Sequence, residues 1–133
     1  MIYQESVTVP ALTPKGSPVE RHIGIVPGLV ERVWLGFPRG CSGLLHAQLW
    51  RAGSILVPYR SEEDVAWDNH VFDVPMRLMV YDEPLRLTIL AWNDDDSYQH
   101  RLFCMVSVRA LAQWEDERPY TGAMGAGLTE VEV

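Results

Sequence analysis

Lysine is almost absent: Lys15 is the only one in a chain of 133 residues. The arginines do not make up for it. Arg21, Arg32, Arg39, Arg51, Arg60, Arg77 and Arg86 are scattered, and 18 acidic against 11 basic side chains leave a net charge of −7. Contacts to phosphates need clustered cations, so nucleic acid and anionic membrane surfaces are excluded as expected partners. Long apolar runs are missing too; no stretch approaches the roughly 20 residues of a membrane-crossing helix. The opening Met1-Ile2-Tyr3-Gln4-Glu5 lacks the basic-then-apolar layout of a secretory signal. A cytoplasmic site of synthesis is the expectation.

Cysteine is scarce. Cys41 and Cys104 stand far apart and in no metal-ligand spacing. A disulfide between them is open, but two free thiols is the favoured reading, because Cys104 sits in an apolar run that any small hydrophobe would suit. Helical periodicity is also lacking before residue 109, which excludes βαβ organisation.

What is present is apolar, β-rich and punctuated by turns. Nearly half the residues are apolar and five are tryptophan, enough for one domain with its own core. Strands are expected at Ile2–Val9, Val19–Val26, Leu29–Phe37, Leu44–Trp50, Ile55–Tyr59, His70–Val74, Met76–Tyr81, Leu85–Trp92 and His100–Arg109. The pair around Pro75 can also be read as one bent strand. Pro27-Gly28, Pro38–Gly43, Asp82-Glu83-Pro84 and Asn93–Ser97 supply turns. Arg51–Ser54 closes a hairpin. Pro58 inside its strand implies an edge position or a bulge. Two residues interrupt otherwise apolar faces: Arg21 among Val19, Ile23 and Ile25, and Glu31 among Leu29, Val33, Leu35 and Phe37. About nine strands spaced by turns predict an all-β, two-sheet antiparallel sandwich over residues 1–109. Residues 110–133 read as a C-terminal tail or arm. It begins with a possible short helix at Ala110–Glu117 and ends in the strand-like Thr129–Val133. Either it is disordered or stays within its own chain, or it crosses to a neighbouring subunit.

No chemistry rises above background. His22, His46, His70 and His100 are at least 24 residues apart, whereas zinc sites gather ligands in close pairs. Asn93-Asp94-Asp95-Asp96 offers hard oxygens for calcium but lacks the EF-hand spacing; a hairpin turn uses the same residues. Ser42 in Gly40-Cys41-Ser42-Gly43 fails the nucleophile-elbow pattern. Glu62, Glu63, Asp64 and Asp73 are acidic in the way any acidic protein is, which does not single out a glycosidase pair. No phosphate-cradling glycine loop is present. The chain is therefore expected not to be an enzyme and to need no cofactor or metal, with no catalytic, cofactor-binding or metal-binding residue assigned. Trp34, Trp50 and Trp92 lie opposite the aliphatic faces of their strands, where they serve as core, as subunit interface, or as platforms for sugars.

The order of turns carries a resemblance. Val7-Thr8-Val9-Pro10-Ala11, Thr13–Pro18, Pro27-Gly28, Phe37–Leu44, Trp67-Asp68, and Asn93-Asp94-Asp95 with His100 follow one another in a series. The series resembles the small jelly-roll decoration (auxiliary head) proteins of thermophilic tailed bacteriophages, over residues 2–109. The resemblance implies a jelly-roll-like sandwich that forms a homotrimer and stabilises the head lattice by clamping the major capsid protein. Its location would be the capsid surface of the virion, after synthesis in the host cytoplasm. The alternative is a carbohydrate- or receptor-binding sandwich, and a metal-dependent enzyme comes third.

Overall fold

Period-two alternation builds eight strands: β1 (Ile2–Val9), β2 (Val19–Gly24), β3 (Gly28–Phe37), β4 (Leu45–Arg51), β5 (Ser54–Val57), β6 (His70–Val80), β7 (Arg86–Asn93) and β8 (His100–Ala110). A computed structural model describes residues 1–111. These strands form two four-stranded antiparallel sheets, ordered β1-β8-β3-β6 and β2-β7-β4-β5. Every connection crosses between sheets except the β4–β5 hairpin through Ala52-Gly53. That winding is the strand order of a jelly roll. It places the four long loops, 10–18, 38–44, 58–69 and 94–99, at one end and the short turns at the other.

The core lies between the sheets. Val7 and Val9 of β1, Val33 and Leu35 of β3, Leu45 and Leu49 of β4, Leu87 and Ile89 of β7, and Leu102, Val106 and Val108 of β8 are fully buried. Their burial is the main driving force for the fold, at about 1.5–3 kcal/mol for each large aliphatic side chain. Gly28 is obligatory where β3 begins. It pairs with Val80 and Ala110, and a Cβ there would lie 2.2 Å from the Arg109 carbonyl oxygen.

Strand number is one fewer than the sequence predicts, because β6 runs unbroken through Pro75. It can do so because β6 is an edge strand, where a missing N–H costs no ladder bond. Pro58 lies just past β5, not inside the strand that the sequence predicts as far as Tyr59. β5 is an edge strand ending at Val57, and its register with β4 shifts between Leu49 and Trp50. At the C-terminal side, Ala110 continues β8, since it pairs with Gly28, and Leu111 after it is helical. The rest of the expected tail, from residue 112 onward, lies outside the described residues.

Both interruptions of the apolar faces have a structural cause. Arg21 sits at the open edge between β1 and β2, where it bonds the Ser6 carbonyl and pairs with Glu5 at 3.5 Å. Glu31 marks a bulge. Between the Val33 and Val30 rows, β8 advances from Val106 to Val108, β3 from Val33 to Val30, and β6 from Val74 to Leu78. Each strand thus carries one residue more than its inner neighbour, which bends the sheet. Val30 and Val33 consequently both reach the core although they differ in parity.

Candidate functional site

Except for Pro27-Gly28, which turns between β2 and β3 at the opposite end, the motifs that carry the resemblance meet at the long-loop end, and there they satisfy one another. The Asp68 carboxylate accepts the backbone N–H groups of Gly40 and Ser42, both at 2.8 Å. Gly40 has the positive φ of 100° that this turn requires. The single S–H of Cys41 is shared between the carbonyls of Trp67 (2.9 Å) and Pro38 (3.1 Å). Asn93, fully buried, donates through Nδ2 to Val9 and Tyr98 carbonyls and accepts from the Asp95 N–H. Its own N–H binds the Thr13 carbonyl. One amide therefore joins β1, β7 and two loops.

The aspartate run is spent in the same way. Asp95 accepts the N–H groups of Ser97 and Tyr98 on Oδ1 and faces His100 Nε2 at 2.8 Å on Oδ2. The Ser97 N–H first, then the His100 imidazole and after it the Tyr98 N–H, hold its carboxyl below the usual range. Asp68 is lowered likewise, chiefly by the Ser42 N–H. Asp96 accepts from the Ser97 hydroxyl. Asp94 approaches His46 Nε2 at 2.9 Å, while Asp64 approaches His46 Nδ1 at 2.6 Å. The imidazole also stacks on Trp92, with ring centroids 5.4 Å apart and planes 6° from parallel. Lys15, the one lysine, lies 5.4 Å from the same indole centroid.

The other histidines are dispersed. His22 bonds the Thr88 hydroxyl at 2.9 Å, and His70 packs edge-on against Phe72. Among the described residues no group of three or more His, Cys, Asp or Glu side chains is placed to hold a metal ion. Cys41 and Cys104 are both buried and free. Ser42 lies in the Asp68-capped turn, and among the described residues no base is hydrogen-bonded to its hydroxyl.

The outward faces of the sheets carry the features that internal bonding does not use up. All three weighed tryptophans project outward, but Trp92 is roofed over by the loop end and only 3% exposed. Trp34 and Trp50 are half-buried. On the β1-β8-β3-β6 sheet, Trp34 pairs across strands with Met105, and Gly36 pairs with Phe103 and Val71. Gly36 leaves bare backbone over which its neighbours close: a Cβ there would lie 3.4 Å from Phe103 and 3.6 Å from Val71. The result is an apolar patch of two adjacent rows, Met105–Trp34, which ends at Asp73 on β6, and Phe103–Gly36–Val71, with Val71 54% exposed. It is flanked by the ion pairs Arg32–Asp73 (2.6 Å) and Glu31–Arg109 (2.9 Å). Sequence reasoning did not single out Phe103, Met105 or Val71. Their signal was present, since Phe103 and Met105 occupy outward positions between inward Leu102, Cys104 and Val106.

On the β2-β7-β4-β5 sheet a groove of about 310 Å³ opens beside Trp50 at the short-turn end. Compared with known proteins, the chain matches no protein-family model, and no curated protein sequence matches it.

Proposed function

We propose that the chain is a structural subunit of a virus shell, a capsid decoration protein that associates with copies of itself as a trimer and stabilises the lattice of the major capsid protein. The observation that carries this reading is the apolar patch of Trp34, Met105, Phe103 and Val71 on the outside of a sheet. A sheet face of this kind, rimmed by ion pairs, has the make-up of a protein-binding surface. The strand order supports the reading, since it is the jelly roll that the resemblance implies. The residues that carry the resemblance support it as well. All but Pro27-Gly28 are bonded into the loop end as a rigid scaffold, which suits a subunit whose work is to hold a shape. A net charge of −7 fits the outer surface of a shell, away from the packaged genome.

The test has two parts. Light scattering on the purified full chain is expected to give the mass of a trimer. An antibody raised against it is expected to label the heads of tailed particles from cells that carry its gene. A monomer at every concentration, together with unlabelled particles, overturns the proposal.

A further inference from the structure

The groove beside Trp50 is not used by the shell-subunit reading. It is built from three adjacent strands: His22, Thr88 and Trp50 form one row across β2, β7 and β4, and Glu20 with Leu90 forms the next. Arg86 lies along β7, and the Ala52-Gly53 turn and Pro84 close the sides. Its volume of about 310 Å³ suits a small ligand, not a folded partner.

The floor is fixed in advance. Trp50 Nε1 donates to Gln48 Oε1 at 3.0 Å, and Gln48 is itself buried, with Nε2 donating to the Ser61 and Glu63 carbonyls. The indole N–H is therefore satisfied and the ring plane is set, so the ring offers a ligand its apolar face. The wall is held too, because Arg51 Nη2 donates to the carbonyls of Asp82 and Pro84. Such preorganisation removes part of the ordering cost of binding.

The polar groups around this floor are available. Glu20 and Arg86 are exposed and make no ion pair among the described residues. His22 engages Thr88 through Nδ1, which leaves Nε2 without a partner among the described residues. The groove thus combines a flat apolar surface with an acceptor-only carboxylate, a donor-only guanidinium and an imidazole nitrogen. A charged ligand meets one attractive and one repulsive group. A hydrocarbon strips water from polar groups and returns no hydrogen bond. A pyranose fits both demands, with C–H groups on its face and hydroxyls around its edge.

We propose that this groove is a binding site for neutral saccharides, with one pyranose ring stacked on Trp50 and its hydroxyls bonded to Glu20, Arg86 and His22. The groove is open, so a single ring binds on the order of 1 mM and longer chains bind more tightly.

The test is a ¹H–¹⁵N correlation titration of the full chain with the methyl glycosides of glucose, galactose, mannose and N-acetylglucosamine and with their disaccharides. The expected result is a saturable shift of the Trp50 indole N–H and of the Glu20, His22, Gly53 and Thr88 amides for at least one sugar. Trp50→Ala should abolish it. Because that change also strands the Gln48 carbonyl, Glu20→Gln and Arg86→Ala at exposed positions serve as the second test, each weakening binding about tenfold. Absence of saturable shifts with every sugar, shifts confined to other residues, or unchanged binding in both exposed-site variants overturns the proposal. A trimer that binds no sugar refutes the saccharide site and leaves the shell reading standing.

Discussion

Asp95 holds His100 at 2.8 Å across the mouth of the β7–β8 loop while its other oxygen takes two backbone N–H groups of the same loop. The carboxylate is the form that accepts all these bonds, which is why it titrates below the usual range. Asp68 does the same for the 38–44 loop.

These two groups predict how stability depends on pH. An aspartate whose pKa is lower folded than unfolded adds stability above the unfolded value, about 3.9, and loses it as pH falls through the folded value. The urea midpoint should therefore be insensitive to these two groups above about pH 5 and should drop below about pH 4. In the double variant Asp68→Asn, Asp95→Asn the midpoint should be lower at pH 7 and fall less steeply in acid. Parallel acid profiles for the two proteins refute the assignment.

Asn93 should be intolerant even of its closest isostere. Its Nδ2 faces the Val9 and Tyr98 carbonyls in a fully buried position. Asn93→Asp replaces that donor by an acceptor and buries a charge that no cation meets among the described residues, a class of change that costs about 3–5 kcal/mol. Asn93→Ala leaves the two carbonyls and the Asp95 N–H without this partner and costs about 3 kcal/mol. Denaturant unfolding at neutral pH measures both, and the aspartate variant should be the less stable.

How much of this was legible beforehand follows from range. Turn residues act locally, so Pro27-Gly28, the Arg51–Ser54 hairpin and the alternation in β7 and β8 marked their elements directly. Arg21 and Glu31 were visible as exceptions, but their causes were not. An edge ion pair to Glu5 and a bulge across three strands depend on which strands are neighbours, and β1 meets β8 across most of the chain. The same limit hid both outward features. Phe103 and Val71 become one surface only when β8 and β6 flank Gly36, and the Trp50 groove exists only once β2, β7 and β4 lie side by side. His46 read alone looked solitary; Asp64 and Asp94 reach it from two separate loops.

Both thiols should be silent in the folded chain. Burial pushes Cys104 up to about 12, helped by the negative charge of Glu5 opposite, and burial also raises Cys41. At pH 8 about one Cys104 in ten thousand is thiolate, and the thiolate is the reactive form. Dithionitrobenzoate should titrate no thiol in the native protein and two after denaturation. The two positions differ in what they tolerate. Cys104→Val, a hydrophobe of similar size, should cost under about 1.5 kcal/mol. Cys41→Ala should cost about 1–3 kcal/mol, because the Pro38 and Trp67 carbonyls lose a donor. Rapid labelling of the folded protein contradicts the burial of both.

The outward patch on β3 and β8 should decide assembly without deciding folding. Phe103 is half-buried by Gly36 and Val71 on a surface that faces away from the core. Phe103→Glu places a charge in the middle of the proposed contact while leaving the inward Leu102 and Cys104 stripe untouched. Loss of a central aromatic at an interface typically costs 2 kcal/mol or more, so the association constant should fall about thirtyfold or further. Unfolding followed at a concentration where both proteins are monomeric should differ little. Trp67, 61% exposed, is the comparison position, because it stands on the 58–69 loop and outside the strands that carry the patch. Trp67→Glu should keep the native mass. If it is Trp67→Glu that dissociates the assembly and Phe103→Glu that does not, subunits meet through the long-loop end, and the rigid Asp68 and Asp95 scaffold, not the sheet face, is the docking surface.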